Sequence, residues 1–133
     1  MTPEEVNRWL GDYVEAWRTY ERRRIEALFA EDISYRYHPY DEPIVGRDAV
    51  VASWLGEDEP EGASGRDEPG TYDAFYRVVA VDGDMAVAIG SSTYYSERGG
   101  PVDRVYDNCF MMRFDSKGRC REFTEWFMKR PSP

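Results

Sequence analysis

The chain has 133 residues, enough for one domain (1–133) that buries about two thirds of its unfolded surface without disulfides or metals. A formal net charge of −9 opposes binding to nucleic acid or to anionic membrane, both of which need a basic patch that no stretch supplies. Two cysteines make neither a secreted framework nor a zinc quartet, no apolar run nears the roughly 20 residues of a membrane span, and no basic leader appears, so a cytoplasmic protein with reduced Cys109 and Cys120 is expected.

Thr2-Pro3-Glu4-Glu5 supplies an N-cap hydroxyl, a proline where its missing N–H does no harm, and a carboxylate placed for a capping box, so a helix starts there. Val6, Leu10, Tyr13, Val14 and Trp17 recur at helical spacing as one apolar stripe. The charged run Glu21 to Arg24 interrupts it before Ile25, Leu28 and Phe29, which places a turn near Thr19 and Tyr20 between two helices. Ile33 to Tyr37 alternates as a strand, and Pro39 and Pro43 then force the chain out of the sheet. The only histidine, His38, stands at that strand end; its type titrates unaided near neutral pH, so it is a candidate general base. A third helix is expected over about Arg47 to Leu55, and a mobile acidic loop over 56 to 70.

From Thr71 the period becomes two. Tyr72 to Val81, Met85 to Tyr95, Val102 to Asp115 and Cys120 to Lys129 are separated by the turns Asp82-Gly83-Asp84, Gly99-Gly100-Pro101 and Ser116-Lys117-Gly118, which predicts a four-strand antiparallel meander. Helices first and a sheet afterwards give an α+β layer architecture and not a doubly wound one. There is no Gly-rich phosphate loop, no nucleophile elbow and no metal-spaced His or Cys pair, so neither metal nor cofactor is expected. An aromatic share of 15%, half of it tyrosine, suits either a pocket for a hydrophobic small molecule or plain strand packing.

Ala30-Glu31-Asp32-Ile33 leading to His38-Pro39, the helix entry Gly46-Arg47-Asp48-Ala49-Val50, and Phe114-Asp115-Ser116-Lys117-Gly118-Arg119 followed by Phe123-Thr124-Glu125-Trp126-Phe127 resemble the nuclear transport factor 2-like superfamily. The SnoaL-like and ketosteroid isomerase-like groups are nearest. The resemblance spans nearly the whole chain and implies a cone-shaped barrel, a curved, mostly antiparallel sheet wrapped around three N-terminal helices. Such a scaffold serves isomerases, cyclases, dehydratases, epoxide hydrolases and proteins without chemistry, so it specifies fold better than activity. Homodimers are common in it, and Val105, Cys109 and Met111 would lie on the convex face that such a contact uses.

The resemblance also implies site positions. Tyr13 matches a tyrosine that donates to a dienolate oxygen, and His38 matches the aspartate base. Trp54 stands where a second tyrosine supports the network, and Phe110 where a protonated aspartate completes the oxyanion hole. Two donors are thus absent, which argues against steroid isomerisation, since each is typically worth a hundredfold or more in rate. The same register turns Tyr106, Asn108, Phe110 and Met112 inward on one strand and Phe123, Glu125 and Phe127 on the last, with Trp17 facing them from the first helix. Glu125, between two phenylalanines, is the unexpected carboxylate: it either works with His38 or pairs with Arg121 or Arg104. Two main functions remain open, an acid–base enzyme of isomerase, cyclase or dehydratase type on a hydrophobic carbonyl or polyketide-like compound through His38, Glu125 and Tyr13, and a non-catalytic module that holds a hydrophobic ligand. An interaction subunit using the outer sheet face is the third.

Overall fold

The computed structural model describes residues 1–57 and 66–132. The loop expected over 56 to 70 therefore falls mainly outside the described residues, as does the last residue of the tail. Helix α1 (Pro3–Thr19) opens with the capping box: the Thr2 hydroxyl accepts from the Glu5 N–H and the Glu5 carboxylate accepts from the Thr2 N–H, both at 3.2 Å. These bonds satisfy donors that no helical carbonyl can reach. Tyr20 ends the helix in the left-handed region, at φ 52°, before α2 (Arg22–Leu28) begins. The Trp9 indole N–H donates to the Leu28 carbonyl at 2.9 Å and ties the two helices together inside the core.

Strand β1 (Phe29–Arg36) starts four residues before the predicted Ile33, with an irregular register between Phe29 and Ser34. After the proline turn the chain returns for a two-residue strand, β2 (Ile44–Val45), that sequence reading missed because it is too short to show a period. Helix α3 (Arg47–Leu55) follows, then β3 (Tyr72–Asp82), β4 (Met85–Tyr95), β5 (Val102–Phe114) and β6 (Cys120–Lys129). The sheet runs β2-β1-β6-β5-β4-β3, antiparallel except where β1 pairs with β6. It curves without closing, so β2 and β3 are edges. Asn7 on α1 covers one exposed donor of β3 by accepting from the Val78 N–H at 2.8 Å.

The helices fill the concave side. Trp9 and Tyr13 of α1 pack on Phe114, Phe123 and Phe110 of the sheet, with ring centroids 5.5 to 6.3 Å apart. Predicted alternation holds on β5, where Asn108, Phe110, Met112 and Phe114 are buried and Asp107 and Met111 are exposed. Gly90 marks the closest approach of two strands: a Cβ there would lie 2.0 Å from the Phe75 carbonyl and 2.6 Å from the Tyr76 ring. Only a missing side chain lets β3 press onto β4 and carry Tyr76 over the concavity. Gly90→Ala is expected to destabilise the fold by about 1–3 kcal/mol through overpacking, measurable by urea denaturation.

Candidate active site

A cavity of about 320 Å³ lies between α1, α3 and the concave sheet. Tyr13 and Trp17 reach it from α1, Tyr35 from β1, Trp54 from α3, Tyr76 from β3, Tyr94 from β4, Asn108 from β5 and Glu125 from β6. Every apolar side chain among its described lining residues is aromatic. The rest are hydroxyls, an amide and the charged groups Glu125, Asp67 and Arg104. A chamber of ring faces and hydroxyl edges suits a compact ligand carrying oxygen atoms better than a saturated hydrocarbon.

Glu125 is the carboxyl group that β6 contributes to this wall. Its Oε2 accepts from the Asn108 side-chain amide at 2.8 Å. Protein surrounds the carboxyl except where it meets the cavity and an adjoining groove, and this burial raises its pKa from 4.5 to about 7 against the opposing pull of the Asn108 hydrogen bond and the charge of His38. Such a group accepts and returns a proton near neutrality. Neither Arg121 nor Arg104 pairs with it: Arg121 binds Asp84 at 2.8 Å, and Arg104 binds Asp103 at 2.7 Å and donates to the Tyr106 hydroxyl at 3.2 Å.

The tyrosines beside it stay protonated. Burial first, and then neighbouring tyrosines and Glu125, hold the Tyr13 and Tyr35 hydroxyls well above their ordinary pKa. They are available as donors at any working pH. The Trp54 indole N–H is buried, 8% of the residue being exposed; it leans toward the Tyr35 hydroxyl without completing a hydrogen bond, and so has no partner. An unpaired buried donor of this kind costs about 1–3 kcal/mol, a penalty that an acceptor atom on a ligand would remove. On the same wall, Asp67 accepts from the Trp17 indole at 3.0 Å while its own N–H donates to the Tyr20 hydroxyl at 2.9 Å, which ties it to the end of α1. Arg104 lies over the Tyr94 ring, 4.2 Å from its centroid.

His38 is placed elsewhere. Its ring stacks on Tyr40 at 5.2 Å and its Nδ1 meets Asp41 Oδ2 at 2.8 Å, in a shallow outer groove with Trp126 and Met128. It is not among the residues lining the cavity that holds Tyr13, Trp54, Asn108 and Glu125. The two spaces share Asn108, Glu125 and Phe127, and His38 acts on Glu125 through its charge. The reason lies in the proline turn, which carries the chain past the strand end before the histidine can point inward.

Of the other residues singled out in the sequence, Trp17, Trp54, Tyr106, Asn108 and Phe127 line the cavity. Phe110, Met112 and Phe123 do not: they face inward as expected but are sealed beneath the tyrosines, each no more than 1% exposed. Sequence reading missed Tyr35, Tyr76, Ser92, Tyr94 and Asp67. The pairing Asn108↔Gly90 and Gly90↔Tyr76 carries the inward set across β4 and β3, so extending the β5 alternation along the meander would have found Tyr76, Ser92 and Tyr94. Asp67 lies outside any strand or helix and left no such signal. Among the described residues, no cluster of three His, Cys, Asp or Glu side chains is arranged to hold a metal.

The helices and the curved sheet together define a domain of cone-like α+β type. The SnoaL-like domain family matches residues 10–123, and the chain belongs to that family. Among solved structures it is similar to a putative ketosteroid isomerase from Kribbella flavida DSM 17836, at 18% identity and a TM-score of 0.66 over 98% of this chain and 83% of the other. It is also similar to an LEH-like epoxide hydrolase of M. tuberculosis, at 14% identity and a TM-score of 0.63 over 95% of this chain and 84% of the other. At these identities the likeness is one of fold. No curated protein matches the sequence.

Proposed function

We propose that the chain is an acid–base enzyme acting on a small, oxygen-bearing carbonyl compound, with Glu125 as the proton carrier. The observation that carries this reading is a carboxyl group brought to a pKa of about 7 on the wall of a chamber lined with neutral hydroxyl donors. The Glu125 carboxylate takes a proton from the carbon next to the carbonyl, and the C–H electron pair moves toward the carbonyl oxygen. Tyr13, Tyr35 and the unpartnered Trp54 N–H supply donors for the charge that develops there. Returning the proton at another carbon completes an isomerisation. The isomerase-like and the hydrolase-like structures named above share this fold, which is compatible with this class of chemistry. The test is deuterium incorporation from D₂O into a panel of cyclic enones and β-diketones, followed by proton NMR, with Glu125→Gln as the control.

The displaced histidine favours a second reading, in which the chamber binds a ligand without turnover. Under it, no compound exchanges protons and Glu125→Gln alters affinity alone.

A symmetric dimer is also proposed. On the convex face Ile89 pairs across to Cys109 and Cys109 to Trp126, and Met111 and Met128 extend the same surface. Met128 is 71% exposed and Trp126 41%, a set poorly suited to water and well suited to an isologous contact. No helix of the described residues is long and apolar enough to cross a membrane. Sedimentation at micromolar concentration should give twice the chain mass, and Trp126→Glu should give the monomer.

A further inference from the structure

Three buried side chains from three neighbouring strands form one chain of hydrogen bonds ending on Glu125. The Tyr76 hydroxyl lies 2.7 Å from Ser92 Oγ, Ser92 Oγ donates to Asn108 Oδ1 at 2.9 Å, and Asn108 Nδ2 donates to Glu125 Oε2 at 2.8 Å. Ser92 is 3% exposed, Tyr76 6% and Asn108 7%. A serine hydroxyl has one proton, and here it is given to Asn108; the contact with Tyr76 must then run the other way, with the phenol donating. The chain has a single direction, from Tyr76 on β3 through β4 and β5 to the carboxylate on β6.

We infer that Tyr76 and Ser92 are positioning residues: they lock the Asn108 amide so that its N–H₂ always meets Glu125 Oε2, and they leave Oε1 as the oxygen that carries the proton. The inference rests on the reading of Glu125 as the proton carrier. An asparagine amide is symmetric in shape and its two ends differ only in hydrogen bonding, so its orientation is set by its neighbours. Turned over, it would present Oδ1 to the carboxyl and favour the protonated form, in which the acid donates to it. Ser92 opposes that turn, because its proton already points at Oδ1. No hydrogen bond among the described residues engages Oε1. The sheet thus gives one carboxyl two unequal oxygens, one fixed and one free. The titratable groups that face Glu125 are Tyr13 from α1, Tyr35 from β1, His38 from the turn after β1, Tyr76 from β3 and Tyr94 from β4. The four tyrosines are held protonated through neutrality by burial, and His38, which acts on Glu125 through its charge, is removed in a control.

The experiment follows the Glu125 carboxyl carbon by ¹³C NMR through a pH titration of the ligand-free full-length protein, in the His38→Ala background and without it. Ser92→Ala should raise the Glu125 pKa by roughly 0.5–1 in both backgrounds, because the amide becomes free to turn. It should also shift the two Asn108 amide protons, while Ser92→Thr, which keeps the hydroxyl, should restore both. An unchanged titration in a folded Ser92→Ala protein overturns the inference, as does a Thr variant that behaves like Ala. The readout needs no substrate. A relay that responds as stated while no carbonyl compound exchanges protons retains the positioning role and removes the enzymatic reading; loss of turnover in Glu125→Gln with no response to Ser92→Ala does the reverse.

Discussion

Glu125→Gln is expected to slow proton exchange by a hundredfold or more, the usual worth of a positioned general base, while the chamber still binds its ligand. Glutamine keeps an oxygen for the Asn108 donor to meet and nearly the same volume, so the variant removes the proton-carrying function and little else. The pH dependence follows from the sign of the shift. The base form is needed, and burial holds the carboxyl protonated until about pH 7, so the rate should climb through that value and level off above it. His38→Ala removes a positive charge that favours the ionised carboxyl, and the inflection should move to higher pH with the plateau rate largely kept. A histidine acting as the base itself would instead take the whole rate with it. Deuterium incorporation measured between about pH 5 and 9 separates the outcomes, and a Gln variant within about threefold of the parent would sink the assignment.

The elements were legible because each carries a local signal strong enough to act alone. The Thr2 and Glu5 cap, the stripe from Val6 to Trp17 and the glycine turns of the meander all depend on neighbours within a few residues, and the structure honours them. Strand alternation placed Asn108 and Glu125 on the inward face from the sequence. The two errors are of another kind. Phe110, Met112 and Phe123 face inward like Asn108, but depth within the concavity decides whether a residue meets ligand or other side chains, and depth depends on what α1 lays over it. His38 lies in the outer groove and not in the cavity that holds Tyr13 and Glu125, because the direction of a side chain at a strand end is set by the turn that follows. The Ser92 chain is illegible for a further reason: it joins four strands, and its meaning lies in the direction of the two hydroxyl protons.

The same variant should be more stable than its parent, and this tests the site without any substrate. Glu125 has a folded pKa of about 7 against 4.5 when solvated, so the native state binds its proton more tightly than the unfolded chain does. The sign is fixed by that order. Below about pH 4.5 both states are protonated and the carboxyl carries no penalty; as the pH rises toward 7 the unfolded chain gains by ionising while the native one does not. The native state therefore loses stability across this window, by about 3 kcal/mol in full, and the loss is complete above about pH 7. A glutamine side chain carries no charge at any pH and escapes the penalty. The difference in unfolding free energy between the Glu125→Gln variant and its parent, taken from urea melts, should be near zero at about pH 4 and grow to that figure at about pH 8, a subtraction that cancels the contributions of all other carboxylates. A difference independent of pH would mean that Glu125 titrates like a surface residue. A rising difference would show a fold that keeps a destabilising acid in its cavity wall, where a stability cost accompanies chemistry near neutral pH.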